Sequence, residues 1–182
     1  MQRMGEGAEL ARIIEGCQSG DAESFALIVD MYAGRCYGYF YRLTGDRDLS
    51  EELLSELFVK LVEKIESYKG GAFESWLFRV AANIFHDHLR VRQRRRKLLD
   101  ARRAELELLP TGERRSHDHD DRIDRLQVQL SRLDADTREL IVLRFYSGLS
   151  FKEIAESRSE PIGTALSKLH RGLKKLRELM EG

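Results

Sequence analysis

Pro110 and Pro161 are the only prolines in a chain of 182 residues. Proline is the residue that most surely breaks a helix, because it lacks an N–H and its ring clashes with the carbonyl one turn back. β-branched alternation is scarce, and apolar residues recur every three or four positions along most of the chain. An all-α protein is therefore expected. An apolar fraction of 42% is enough for folded cores, and the length allows one large domain or two small ones. No window approaches the roughly 18 apolar residues of a membrane span. The start, MQRMGEGAEL, has no apolar core like that of a signal peptide. Cys17 and Cys36 lie at apolar-periodic positions without CxxC spacing, as expected for buried thiols in a reducing cytoplasm.

The periodicity divides the chain. Leu10, Ile13, Ile14 and Cys17 predict a first helix over 8–18. Asp21 is a good N-cap for a second, which carries Phe25, Ile28, Val29, Tyr32, Cys36 and Phe40 on one side. Asp46 or Asp48 caps a third. Its stripe of Leu49, Leu53, Leu54, Leu57, Phe58, Leu61, Val62 and Ile65 demands burial, opposite Glu51, Glu52, Ser55, Glu56 and Glu63. Ser67 to Gly71 is a glycine loop. A fourth helix starts near Phe73 and buries Trp76, Leu77, Val80, Ala81 and Ile84.

That helix runs into RVRQRRRKLLDARR, from Arg90 to Arg103. The chain has 31 cationic and 31 acidic side chains, so this density is segregation and points to phosphate contacts. Periodicity then fails over 101–121, around Pro110, Gly112 and the polar run 116–121, which reads as a flexible linker. The organisation expected is a first domain over 1–100, a linker over 101–121 and a second domain over 122–182. In the second, Ile123, Leu126, Leu130 and Leu133 form a short helix. Asp134 or Asp136 caps the next, with Leu140, Ile141, Leu143 and Phe145 facing inward, and Gly148 ends it.

Ser150 and Glu153 form a capping box opening a brief helix. A turn over 158–161 leads into a longer helix from Ile162. This is the helix-turn-helix pattern. Leu149, Ile154, Ala155, Ile162 and Leu169 are expected to lock the pair. Thr164, Ser167, Lys168 and Arg171 are left outward, with Lys174, Lys175 and Arg177 extending the positive face. Lys and Arg donate to guanine in a major groove, and Ser or Thr bond to bases or phosphates.

At these residues the chain resembles bacterial extracytoplasmic-function sigma factors. Leu149 to Glu156, Pro161 to Thr164 and Ser167 to Arg171 look like their second DNA-binding domain. Gly20 to Phe25, Asp48 to Phe58, Phe73 to Asn83 and Asp87 to Arg90 look like the first conserved domain. The resemblance implies a region 2-like helical bundle and a region 4-like helix-turn-helix domain joined by a flexible linker. It implies a non-enzymatic subunit that binds core RNA polymerase and promoter DNA and helps melt the duplex. It also implies an anti-sigma protein as partner, and no cofactor.

The implied sites follow residue by residue. Glu52, Ser55, Glu56 and Phe58 would contact polymerase, with Ser55 standing where the family usually has glutamine. Tyr68 and Lys69 lie in the loop that takes a flipped base of the downstream (−10) element, beside Arg79, Asn83, Arg90 and Arg94. The loop lacks the family's usual proline and acidic residue. Tyr68 reads equally as a stacking platform or a core-edge aromatic, and Trp76 reads as core. Thr164, Ser167, Lys168, Arg171 and Lys174 would read the upstream (−35) element. Ser159 stands in place of the usual turn glycine, so it takes a strained backbone or the turn is remodelled, and Leu166 stands in place of a basic residue; an altered or weaker upstream preference is implied.

Other functions leave weaker traces. His86/His88 and His117/His119 form HxH pairs with no further ligand at zinc spacing. Neither GxSxG nor GxxxxGK[ST] occurs. No metal site or catalysis is expected. A helix-turn-helix regulator acting without sigma activity is the alternative. It would not need the acidic amphipathic helix, glycine loop and aromatic-to-arginine helix of the first domain.

Overall fold

The computed structural model describes the backbone of residues 2–105 and 125–181, with side chains over 7–99 and 125–181. The first module has four helices: α1 (Gln2–Gln18), α2 (Ala22–Thr44), α3 (Arg47–Lys64) and α4 (Phe73–Glu105). A 3-10 turn, Ile65–Ser67, extends α3. The second module holds α5 (Arg125–Ser131), α6 (Ala135–Ile141), α7 (Phe151–Arg158) and α8 (Ile162–Glu181). A π-helical turn, Val142–Tyr146, follows α6. No strand occurs among the described residues, and none of their helices is long and apolar enough to cross a membrane.

Side-chain caps fix where the helices start. Asp21 accepts from the Ser24 N–H (2.9 Å), Asp46 from that of Leu49 (3.1 Å) and Asp134 from that of Thr137 (2.9 Å). The Ser150–Glu153 box forms in both directions. Each cap satisfies an N–H that the helix itself leaves without a partner.

Tyr39, Phe40, Leu53, Leu57, Leu61, Leu77 and Phe78 are fully buried in the first module, and Leu140, Leu143 and Leu149 in the second. These cores merge, because α5, α6 and the π turn pack on α2, and α7 packs on α4. Gln127 donates to the Tyr41 carbonyl (3.0 Å). Arg138 donates to the carbonyls of Leu130, Ser131 and Leu133 in its own module and to that of Leu43 in the other (2.6 Å). Gly38 makes room for the contact: a Cβ there would lie 2.0 Å from the Tyr146 hydroxyl. Cys17 and Cys36 are buried free thiols, and burial pushes Cys36 up to about 12.

Several expectations need correcting. α1 begins six residues before the predicted start at Ala8, at Gln2. α4 continues through 101–105, the start of the expected linker, and the rest of that linker, with Pro110, His117 and His119, lies outside the described residues. Phe145 is 63% exposed instead of facing inward. The wider π turn rotates it outward and swings Tyr146 onto Gly38. Ile162 is exposed instead of locking the helix pair, because Ala165, Leu169 and Gly172 form the inner face of α8. Gly172 sets that closeness, since a Cβ there would sit 2.3 Å from Thr137 Cγ2.

Candidate polymerase and nucleic-acid interfaces

α3 buries Ser50, Leu53, Leu57 and Leu61 and turns Glu52, Ser55 and Glu56 to solvent. Phe58 is half-buried at the edge of that face, packed on the core. The Ser55 hydroxyl donates to the Glu51 carbonyl (2.9 Å), one turn back on its own helix. Val59 and Val62 are 59% and 56% exposed. The stripe predicted to be buried therefore runs past the core, and the outer face of α3 is apolar with acidic flanks. Sequence reasoning missed Val59 here, and its position one turn beyond Ser55 was the available signal.

The loop after α3 is firmly built. Gln18 donates to the carbonyls of Ile65 (3.1 Å) and Tyr68 (3.0 Å). The half-buried Tyr68 ring meets Phe73 and Trp76 edge-on, with centroids 5.4 and 5.5 Å away. Its hydroxyl donates to the Gly71 carbonyl (2.6 Å), and burial raises its phenol above the ordinary value. Gly70 and Gly71 have φ of 97° and 96°, a conformation open to glycine. Lys69 is exposed at the tip.

Arg79, Asn83, His86 and Arg90 stack three or four residues apart along α4. Two of them, Arg79 and His86, meet the second module. Arg79 Nη1 lies 3.9 Å from Glu156, and His86 Nε2 lies 2.6 Å from Glu139. Burial opposes ionisation of Glu153, yet hydrogen bonds from Ser150 and from Ser75 across the interface, with Arg79 nearby, hold its carboxyl below the ordinary range. Asn83 is exposed, and Arg90 pairs with Asp87 at 3.1 Å. An open cleft of about 280 Å³ is lined by His86, Leu89, Arg90, Gln93 and Arg158. Beyond it every residue from 91 to 99, Arg94 included, is exposed.

In the helix-turn-helix, Thr164, Ser167, Arg171 and Lys174 are exposed on α8. Lys168 is placed differently, at the flank, where its ammonium bonds Glu160 (2.7 Å) and Asp136 (2.9 Å). Ser159 takes the left-handed conformation at φ 51°, the one non-glycine to do so among the described residues. Its N–H and that of Glu160 close the end of α7 onto Ala155 and Glu156 carbonyls. Arg158, with its side chain 7% exposed, pairs with Glu139, Asp136 and Glu160. Glu139 in turn meets His86 of the first module. Sequence reasoning missed this buried cluster, for its members are far apart in the chain.

The comparisons agree with this architecture. The family model described as Sigma-70 region 2 matches residues 28–95, and that of Sigma-70, region 4, matches residues 123–176. The extracytoplasmic-function RNA polymerase sigma factor SigW of Bacillus subtilis is 30% identical over 91% of this chain and 93% of its own length. The corresponding factor SigE of Mycolicibacterium smegmatis is 33% identical over 84% of this chain, which spans 60% of that protein's length. The sigma factor RpoE of Bartonella quintana, solved with the anti-sigma factor NepR, has the same fold, with a TM-score of 0.67 and 24% identity over 88% of this chain and 98% of that one. Two helical modules with a helix-turn-helix in the second define a transcription-initiation protein of the sigma-70 type. The chain belongs to the extracytoplasmic-function family of RNA polymerase sigma factors, which direct transcription initiation.

Proposed function

We propose that three separate faces divide the work of promoter-specific initiation. The outer face of α3, with Glu52, Ser55, Glu56 and the edge of Phe58, docks on core RNA polymerase. The glycine loop at Tyr68 and Lys69, with Arg79, Asn83, Arg90 and Arg94, holds the opened strand of the downstream element. Thr164, Ser167, Arg171 and Lys174 read the upstream element in the major groove, with Lys168 at the flank. The observation that carries this reading is the distribution of charge. α3 presents Val59 and Val62 between acidic flanks, α4 is basic beyond Arg90, and α8 has no carboxylate between Ile162 and Arg177. A complex of polymerase and promoter DNA complements all three.

Arg79 and His86 on α4 meet carboxylates of the second module, so freeing Arg79 for a promoter requires the modules to part. Each module alone binds weakly, and polymerase holds both on one duplex and raises their joint affinity without a new contact. A protein that stabilises the closed arrangement would keep the factor idle. The relative solved with an anti-sigma factor supports such a partner here. Reconstitution with core polymerase and a promoter library tests the proposal: defined transcripts that require this chain are expected, and their absence would refute it.

A further inference from the structure

We propose that α8 reads thymine C5 methyl groups in the upstream element, with Leu166 as the contacting residue and Ile162 beside it; the proposal rests on the sigma reading above. Ala165, Leu169 and Gly172 are the buried face of α8 and thereby fix which side is free. Leu166 and Ile162 are 44% and 45% exposed. They lie one turn apart, so they form a continuous apolar step at the helix N-terminus. That is the end of a recognition helix whose side chains meet base edges.

Three polar side chains near the step also bond within the chain. The Ser167 hydroxyl donates to the Gly163 carbonyl (2.8 Å). Lys168 is held by Glu160 and Asp136. Arg171 Nε donates to the Ser167 carbonyl (3.3 Å) and stands one turn further along. Along α8 itself no carboxylate stands before Glu178, and Glu160, just ahead of the helix, is paired with Arg158 and Lys168, which suits a phosphate-flanked duplex. The thymine methyl is the apolar group that a base edge presents in a major groove. A leucine there contributes no hydrogen bond to guanine, but it removes a methyl from water.

The test is selection from a duplex library randomised over the upstream element, using the full chain with and without core polymerase. Each selected thymine is then replaced singly by deoxyuridine, which keeps the hydrogen-bonding edge and lacks the methyl. We expect a loss of about fourfold at one or two positions, the worth of burying one methyl-sized group. Leu166→Ala, a surface change, should abolish that dependence, and Leu166→Arg should shift the selected base towards guanine. Tolerance of deoxyuridine at every position would overturn the proposal. So would methyl dependence that survives in Leu166→Ala, or a Leu166→Ala selection identical to that of the parent chain, as expected if Leu166 met only a protein. Transcription with core polymerase reports on the sigma reading separately. Its loss with methyl dependence intact would sink that reading alone, and transcripts without methyl dependence would sink this proposal alone.

Discussion

Replacing Arg158 with alanine tests what holds the helix-turn-helix in place. Its guanidinium meets Glu139, Asp136 and Glu160, with the Arg158 side chain 7% and that of Glu139 4% exposed. Removing it does not strand all three acids. Asp136 and Glu160 keep the Lys168 ammonium at 2.9 and 2.7 Å. Glu139 keeps only His86, at 2.6 Å from its other oxygen. Stranding one buried charge costs about 3–5 kcal/mol, and with a single acid stranded the lower end, about 3 kcal/mol, applies. With a urea dependence of about 2 kcal/mol per M, the unfolding midpoint should fall by about 1.5 M. Circular dichroism of the full chain in urea measures it. Adding Glu139→Gln to Arg158→Ala removes the stranded charge and should restore about half of the loss. A midpoint within about 0.3 M of the parent, or a further fall on adding Glu139→Gln, would refute the reasoning.

Other outcomes follow from the same geometry. Hydrogen bonds hold Glu153 and Glu160 below their ordinary 4.5, and Asp134 below its ordinary 3.8, against the opposing effect of burial. Carboxylates so depressed contribute stability in full above their unfolded values and lose it as pH falls through the folded ones. Urea midpoints should therefore be level above about pH 5 and decline below 4.5; a decline beginning near pH 7 would contradict this. Ser159→Gly relieves a left-handed non-glycine residue and should stabilise by about 0.5–1 kcal/mol, while Ser159→Val should destabilise by more, both read by thermal melting. Glu56→Lys with Val59→Lys should weaken binding to core polymerase at least about tenfold and spare duplex binding. Arg171→Ala or Lys174→Ala should do the reverse, each lowering the salt slope of duplex binding by about 1.

What the sequence disclosed was what is local. Asp21 and the Ser150–Glu153 box act on N–H groups three residues away, so spacing alone reveals them; for the other two caps spacing left Asp46 or Asp48 and Asp134 or Asp136 open, and the structure selects Asp46 and Asp134. The left-handed backbone at Ser159 was signalled only by the resemblance, which places a glycine there and left a strained residue or a remodelled turn open. The Arg158–Glu139–His86 cluster was not, because its members come from α7, α6 and α4 and meet only through packing. The π turn sets Tyr146 against Gly38 of another helix, a pairing distant in the chain. Val62 shows a third limit. Helical periodicity says that a stripe must be covered, but not whether this chain or another does so, and here it reaches solvent. Lys168 shows a fourth: its place on the recognition helix was readable, but its two carboxylate partners were not.

Run-off transcription with core polymerase, with and without the full chain, on a pool of promoter-sized duplexes examines the division of labour most directly. Transcripts with defined start points should appear from a subset of templates only when the chain is present. They should disappear when α3 carries Glu56→Lys and Val59→Lys. Output equal to that of core polymerase alone, together with tight sequence-specific duplex binding by the free chain, would contradict it.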